Sequence, residues 1–291
     1  MALNFFSLCK ATVTEFVADD ALSRGAAIAY YTTISIAPVL LIVIAIAGLV
    51  FGQAAAQGAI VGQLSGLMGS TSADVLQSMI QSAGHKRSGT IATLVGVVTL
   101  LITASGVFGE IQSALNAIWK IESASSTLTR LVRARLASLG LVATLGFLLL
   151  VSLVISAGLQ AIATWTAAHV AGLLVLLQGV SFLVSLLIVA VLFGAVYKVL
   201  PDKQLTWRDV GVGALVTSLL FSLGKIVISL YIGSSAVASS YGAAGALIVI
   251  LIWIYYSAQI FLLGAEFTKV YAQAHGSQQP AAPVRRHATR V

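Results

Sequence analysis

The chain has 291 residues, of which 59% are apolar and only 9% charged, and its mean hydropathy is +1.02. Soluble globular chains carry roughly 25% charged residues, so there is too little polar surface here to coat a water-soluble body of this size. That excludes a soluble enzyme, a disordered chain and a coiled coil, and leaves an all-α polytopic membrane helix bundle. The net charge of +7 reads as orientation and contact with anionic head groups rather than as affinity for nucleic acid. The single thiol, Cys9, permits no intrachain disulfide. Met1–Lys10 carries no small-residue cleavage site and does not read as a secretory signal.

In chain order, residues 1–24 form an interfacial segment. There Leu3–Leu22 mixes Phe5, Phe6, Val13, Phe16 and Val17 with Lys10, Glu15, Asp19 and Asp20, the pattern of an amphipathic helix lying on a membrane surface. Charges then punctuate the chain. Gly25–Ala73 has none, Ser88–Gly109 none, Leu136–Tyr197 none, and Val210–Ala265 only Lys225. About 20 residues cross the hydrocarbon at 1.5 Å each, so the third and fourth of these stretches must each turn back once. Ala167–His169 with Gln178, and Ile232–Gly242, supply the turn chemistry. Six spans are expected: Ala26–Phe51, Thr90–Phe108, Leu136–Trp165, Gly179–Val199, Val210–Gly233 and Ala243–Phe267. Residues 53–88 read as an outer loop with one or two short helices, because Ile60, Leu64 and Leu67 recur at helical spacing. Residues 1–270 are then one membrane domain, and 271–291 a basic disordered tail.

Orientation follows from the bases. With the N-terminus in the cytoplasm, 13 Lys and Arg fall on that side and only Lys86 and Arg87 outside, with Lys225 inside a span. That asymmetry places both termini in the cytoplasm, which agrees with an even number of spans.

Polar groups within the spans are the candidate site. Tyr30, Tyr31 and Ser35 precede Pro38 in the first span, where proline removes a donor and kinks a helix. Thr32, Thr33 and Ser35 either satisfy the loosened backbone or, with the tyrosines, line a cavity. Lys225 lies about 24 Å along its helix from Asp209; it either snorkels to head groups or binds a phosphate or carboxylate. Tyr255, Tyr256 and Gln259 fall near the midplane of the last span. Glu110, Asn116, Arg130, Arg133, Arg135 and Glu266 gather at a cytoplasmic mouth, as interfacial anchors or as a polar gate. The four histidines are scattered without metal-ligand spacing, no phosphate loop or nucleophile elbow is present, and no cofactor or metal is expected.

Several of these blocks resemble the YihY/BrkB family of bacterial inner-membrane proteins. They are Ala29-Tyr30-Tyr31 with Ser35 and Pro38, Leu115-Asn116-Ala117-Ile118-Trp119, Tyr197-Lys198-Val199-Leu200-Pro201, Gly213-Ala214-Leu215 and Ser240-Tyr241-Gly242-Ala243-Ala244-Gly245. The most specific is Leu251-Ile252-Trp253-Ile254-Tyr255-Tyr256 through Gly264-Ala265-Glu266-Phe267. The resemblance implies six helices with both termini inside and location in the inner membrane. Members have carried labels as ribonuclease BN and as virulence or serum-resistance factors, with suggestions of envelope lipid transport. A metal-dependent nuclease needs clustered ligands in a wet domain, and this sequence has none, so a ribonuclease is not expected. The expected function is transport or handling of an amphipathic, anionic substrate, with membrane lipids as partners; the alternative is a non-transporting envelope scaffold. Neither enzymatic turnover nor nucleic-acid binding is expected.

Overall fold

The computed structural model describes residues 4–84, 106–121, 173–234 and 242–278. The expected third span, Arg130, Arg133, Arg135, most of the second span and residues 279–291 lie outside the described residues. Every regular element among the described residues is helical: α1 (Phe5–Ala18), α2 (Ala21–Phe51), α3 (Gln53–Met68), α4 (Ser70–Gly84), α5 (106–118), α6 (Leu173–Val199), α7 (Trp207–Ser234) and α8 (Gly242–Ala274).

Local chemistry sets the breaks between them. Asp20 sits at φ 53°, ψ 37°, a left-handed conformation that Asp tolerates better than most residues, and it turns α1 into α2. Gly52 and Gly69 take φ 84° and 85°, which only glycine adopts without cost, and they separate α2, α3 and α4. Thr206 caps α7: its hydroxyl accepts from the Asp209 amide at 3.3 Å and donates to the Asp209 carboxylate at 2.8 Å, a variant of the capping box with Asp at the third position.

Among the described residues, three helices are long and apolar enough to cross a membrane: Gly179–Val199, Trp207–Ile228 and Ala244–Ala274. The first expected span becomes a fourth if its two halves, Ala21–Ala37 and Val39–Leu49, are one crossing, since their axes bend by 47°. The bend falls at Pro38, where the sequence places it. The remaining two expected spans fall wholly or mostly outside the described residues.

The surfaces of these helices are those of a bilayer protein. Leu183, Leu187 and Val191 on α6 and Leu215, Leu219, Leu223, Val227 and Leu230 on α7 recur at helical spacing and are exposed, a contiguous apolar face of the kind that meets lipid. The interior is centred on α8, which touches α1, α2, α3, α4 and α7. Its seam with α7 depends on glycine. A Cβ on Gly213 would lie 2.7 Å from the Thr268 Cβ, and one on Gly264 would lie 2.6 Å from the Tyr197 hydroxyl, hard against Thr217. Gly213 and Thr217, like Gly264 and Thr268, are four residues apart, so each helix sets a glycine opposite its partner's threonine. Both threonine hydroxyls donate back to the carbonyl four residues earlier, at 2.7 Å, so neither leaves an unmet polar group in the seam. Close backbone approach of this kind drives helix association where water supplies no hydrophobic force.

Candidate functional site

An apolar groove of about 470 Å³ opens where α1, the start of α2, α7 and α8 meet. Val13 and Phe16 come from α1 and Leu22 from α2; Leu220, Leu223, Gly224 and Val227 come from α7; Tyr256, Gln259, Ile260 and Leu263 come from α8. The i, i+3, i+4 and i+7 spacing on both long helices points these side chains to one side. Gly224 admits the Tyr256 ring, whose hydroxyl would be 2.6 Å from any Cβ there. Gln259 is the polar member. Its amide nitrogen donates to the Leu22 carbonyl at 3.2 Å, while its Oε1 is buried with no partner among the described residues. A buried acceptor without a donor costs about 1–3 kcal/mol, and this oxygen is enclosed where the Gln259 amide packs against Gly25 of α2.

The expected site residues do not all converge. Tyr256 and Gln259 line the groove, and Lys225 adjoins it through Gly224 without lining it. Lys225 is half-buried and has no hydrogen bond or ion pair among the described residues. Tyr255 packs instead beside Ile250 and Ile254, against Met68 and Leu76 of α3 and α4. Tyr30 and Tyr31 are exposed, edge to face at 5.6 Å, while Ser35 is buried. Thr33 donates to the Ala29 carbonyl at 2.7 Å, so its hydroxyl is satisfied within its own helix.

At the mouth, Asn116 is a structural tie. Its side-chain amide exchanges two 2.9 Å hydrogen bonds with Asp202, donating to the carboxylate and accepting from the backbone amide. Gln112 adds a third at 3.4 Å. The ammonium of Lys203 lies 5.1 Å from the Trp119 ring centre, and that of Lys198 lies 5.8 Å from Trp207, both within cation–π range. Glu110 is half-buried on α5. Ser277, just past α8, donates its backbone amide to Asp209 at 3.2 Å. Helix α8 and this contact thus extend into the segment read as a tail.

Glu266 belongs to a separate cluster that sequence reasoning missed. Lys269 sits at its centre, donating to Glu15 at 2.8 Å, to Asp19 at 3.0 Å and to Glu266 at 3.0 Å. Lys120 pairs with the other Asp19 oxygen, and the Arg24 guanidinium donates to the Asp19 backbone carbonyl at 3.0 Å. Glu266 is fully buried, and its Oε1 finds no partner among the described residues. Burial opposes the charge on Asp19, but the ammoniums of Lys120 and Lys269 outweigh it and hold this carboxyl below its ordinary value. The carboxylate oxygens of Glu15, Asp19 and Glu266 lie within 4.8 Å of one another, the spacing of a metal cage. Here the Lys269 ammonium fills the position a cation would take. The signals in the sequence were the i, i+3 pair Glu266 and Lys269 and the i, i+4 pair Glu15 and Asp19.

Comparison with known proteins agrees with this architecture. The family model described as "Virulence factor BrkB" matches residues 12–289. A "UPF0761 membrane protein" of Yersinia pestis (strain Pestoides F) is 32% identical over 66% of this chain and 63% of its own length. A second protein of that name, from Idiomarina loihiensis, is 31% identical over 65% of this chain and 64% of its own. The chain therefore spans slightly less than two thirds of these relatives. No solved structure matches it. With a family match over nearly its whole length and a surface built for lipid contact, the chain belongs to the BrkB family of membrane proteins.

Proposed function

We propose that this protein handles or transports a membrane lipid in the bacterial inner membrane, as a six-span bundle with both termini in the cytoplasm. The substrate is amphipathic, with an anionic head group. The groove is the observation that supports this reading. Its volume falls within the roughly 300–1,000 Å³ typical of small-ligand sites, and it opens among outward-facing leucines and valines of α7. An acyl chain matches the lining. The unpaired ammonium of Lys225 lies one residue beyond Gly224, where it supplies positive charge for a phosphate; charges retained at membrane depth usually face such a cavity. On this orientation the groove lies toward the inner leaflet.

The glycine-packed seam between α7 and α8 favours the competing reading, a scaffold that moves nothing. A metal at the carboxylate trio forms no part of the proposal, since Lys269 already places an ammonium there; nor do enzymatic turnover and nucleic-acid binding.

Native mass spectrometry of the detergent-purified full chain tests the proposal. The expected result is retained phospholipid, anionic species over zwitterionic. Leu223→Trp, which fills the groove, should lower occupancy several-fold, and Lys225→Gln should abolish the anionic preference while occupancy survives. Lipid-free wild-type protein, or occupancy unchanged by Leu223→Trp, would overturn it.

A further inference from the structure

The contact between α1 and α8 carries an imbalance of charge. Three carboxylates, Glu15, Asp19 and Glu266, face two ammoniums, Lys269 and Lys120. Fully ionised, the group holds one excess negative charge, and Glu266 has a buried oxygen that nothing described bonds. An uncompensated buried charge is expensive, and two carboxylates in one site seldom both ionise. One proton cures the excess charge and occupies the vacant oxygen.

We propose that Asp19, Glu266 and Lys269 form a proton-binding site, and that its occupancy sets how firmly the N-terminal helix is seated on α8.

The geometry says where the proton goes. Asp19 accepts from both ammoniums and stays ionised. The Glu15 side chain is 40% exposed and keeps its water. Glu266 is enclosed, so the proton rests there and is shared toward Asp19, exchanging with bulk water at the exposed edge formed by Glu15 and Lys120. When it leaves, Glu266 repels the two carboxylates that α1 and its turn bring to the cluster. Lys269 is the charge on α8 that opposes their separation, beside the apolar contact of Leu8 with Phe267 and Val270. The neighbouring elements bring few other ionisable groups. Arg24 of α2 is bound to the Asp19 backbone rather than to a carboxylate, Asp209 of α7 is occupied by Thr206 and Ser277, and Asp74 of α4 is exposed. His275 of α8 is stacked on Tyr271 at 5.6 Å, near where Leu8 of α1 packs, and needs a control.

Hydrogen exchange of Phe5–Ala18, measured by mass spectrometry on the full chain in lipid nanodiscs and corrected for intrinsic exchange, tests this between about pH 5 and about pH 9. Ordinary carboxylates and lysines do not titrate across most of that window. Protection of α1 should fall with rising pH, by up to about tenfold per pH unit, the limit for release of one proton. Glu266→Gln, which mimics the protonated acid, should hold α1 protected at every pH, and His275→Gln should keep the wild-type slope. A flat wild-type profile, an unchanged slope in Glu266→Gln, or a slope lost in His275→Gln would each overturn the proposal. If Glu266→Gln does not fold, infrared titration of the wild type decides: a protonated-carboxyl band must disappear across the window, and its absence sinks the idea. Val13 and Phe16 of α1 line the groove, so groove lipid can shift the level of α1 protection; the infrared band and the loss of slope in Glu266→Gln do not depend on it.

Discussion

At the scale of single residues, the tightest constraint is the pairing of glycine with threonine in the α7–α8 seam. Gly264→Ala places a methyl against Thr217 and the Tyr197 hydroxyl. It should cost about 1–3 kcal/mol, the usual range for overpacking, read as a lower thermal midpoint of the purified protein. Thr217→Ala in the same chain should restore part of the loss. Asn116 and Asp202 behave as a pair, so Asn116→Ala and Asp202→Ala should each destabilise by about 1–3 kcal/mol. Their double variant should cost clearly less than the two losses combined, as residues sharing one interaction do. Asp19 carries a pH dependence whose sign follows from its surroundings. Its folded carboxyl titrates below the ordinary 3.8, so the unfolded chain binds the proton first. The stabilisation is complete above that ordinary value and disappears as the pH falls through the lower folded value. Acid unfolding of Asp19→Asn should therefore show a shallower slope below about pH 4 than the wild type. In the sequence Asn116 stands as one of the polar groups of the expected cytoplasmic mouth. Its partner is not legible there, since Asp202 lies 86 residues away and no local spacing links them.

At the scale of elements, the bend in α2 and the seating of α1 are decided by different means. Pro38 lacks an amide proton and crowds the carbonyl one turn back, and the 47° change of axis falls there. Pro38→Ala should straighten α2, lengthening the distance between spin labels at Ser23 and the exposed Leu49 measured by pulsed electron resonance. An unchanged distance would assign the bend to packing by α3 and α4. Helix α1 was legible as amphipathic, and Phe6, Val13 and Val17 do form an exposed face. Its other face was not legible as a protein contact. Leu8 packs on Phe267 and Val270, and Glu15 and Asp19 reach Lys269. A helix that rests on both lipid and protein has the same periodicity as one that rests on lipid alone.

At the scale of the molecule, the distribution of charge makes the remaining prediction. A reporter fused after Gln273 should lie in the cytoplasm, and one inserted near Ser70 should lie outside, because Lys and Arg concentrate on one side of the expected spans. Alkaline phosphatase active at the C-terminal fusion would invert the assignment. Lys120, Lys198, Lys203 and Lys269 form ion pairs and cation–π contacts, so bases counted toward the expected orientation also join helices.

Composition and periodicity alone determined that this is a helical membrane protein and where the first expected span bends. They also located three apolar helices long enough to cross a membrane, with ends differing by up to about seven residues. These properties depend on local quantities: apolar length against bilayer thickness, and the missing amide of one proline. Only the tertiary structure decided which polar residues meet. It set Tyr256 and Gln259 in one groove, turned Tyr255 away from them, and drew Glu266 out of the expected mouth into a cluster with Glu15, Asp19 and Lys269. Those neighbours come from opposite ends of the chain, and their meeting depends on how α1 folds back over α8. A seam of glycines and threonines and a turn at Asp20 set that arrangement, and neither registers in a hydropathy profile.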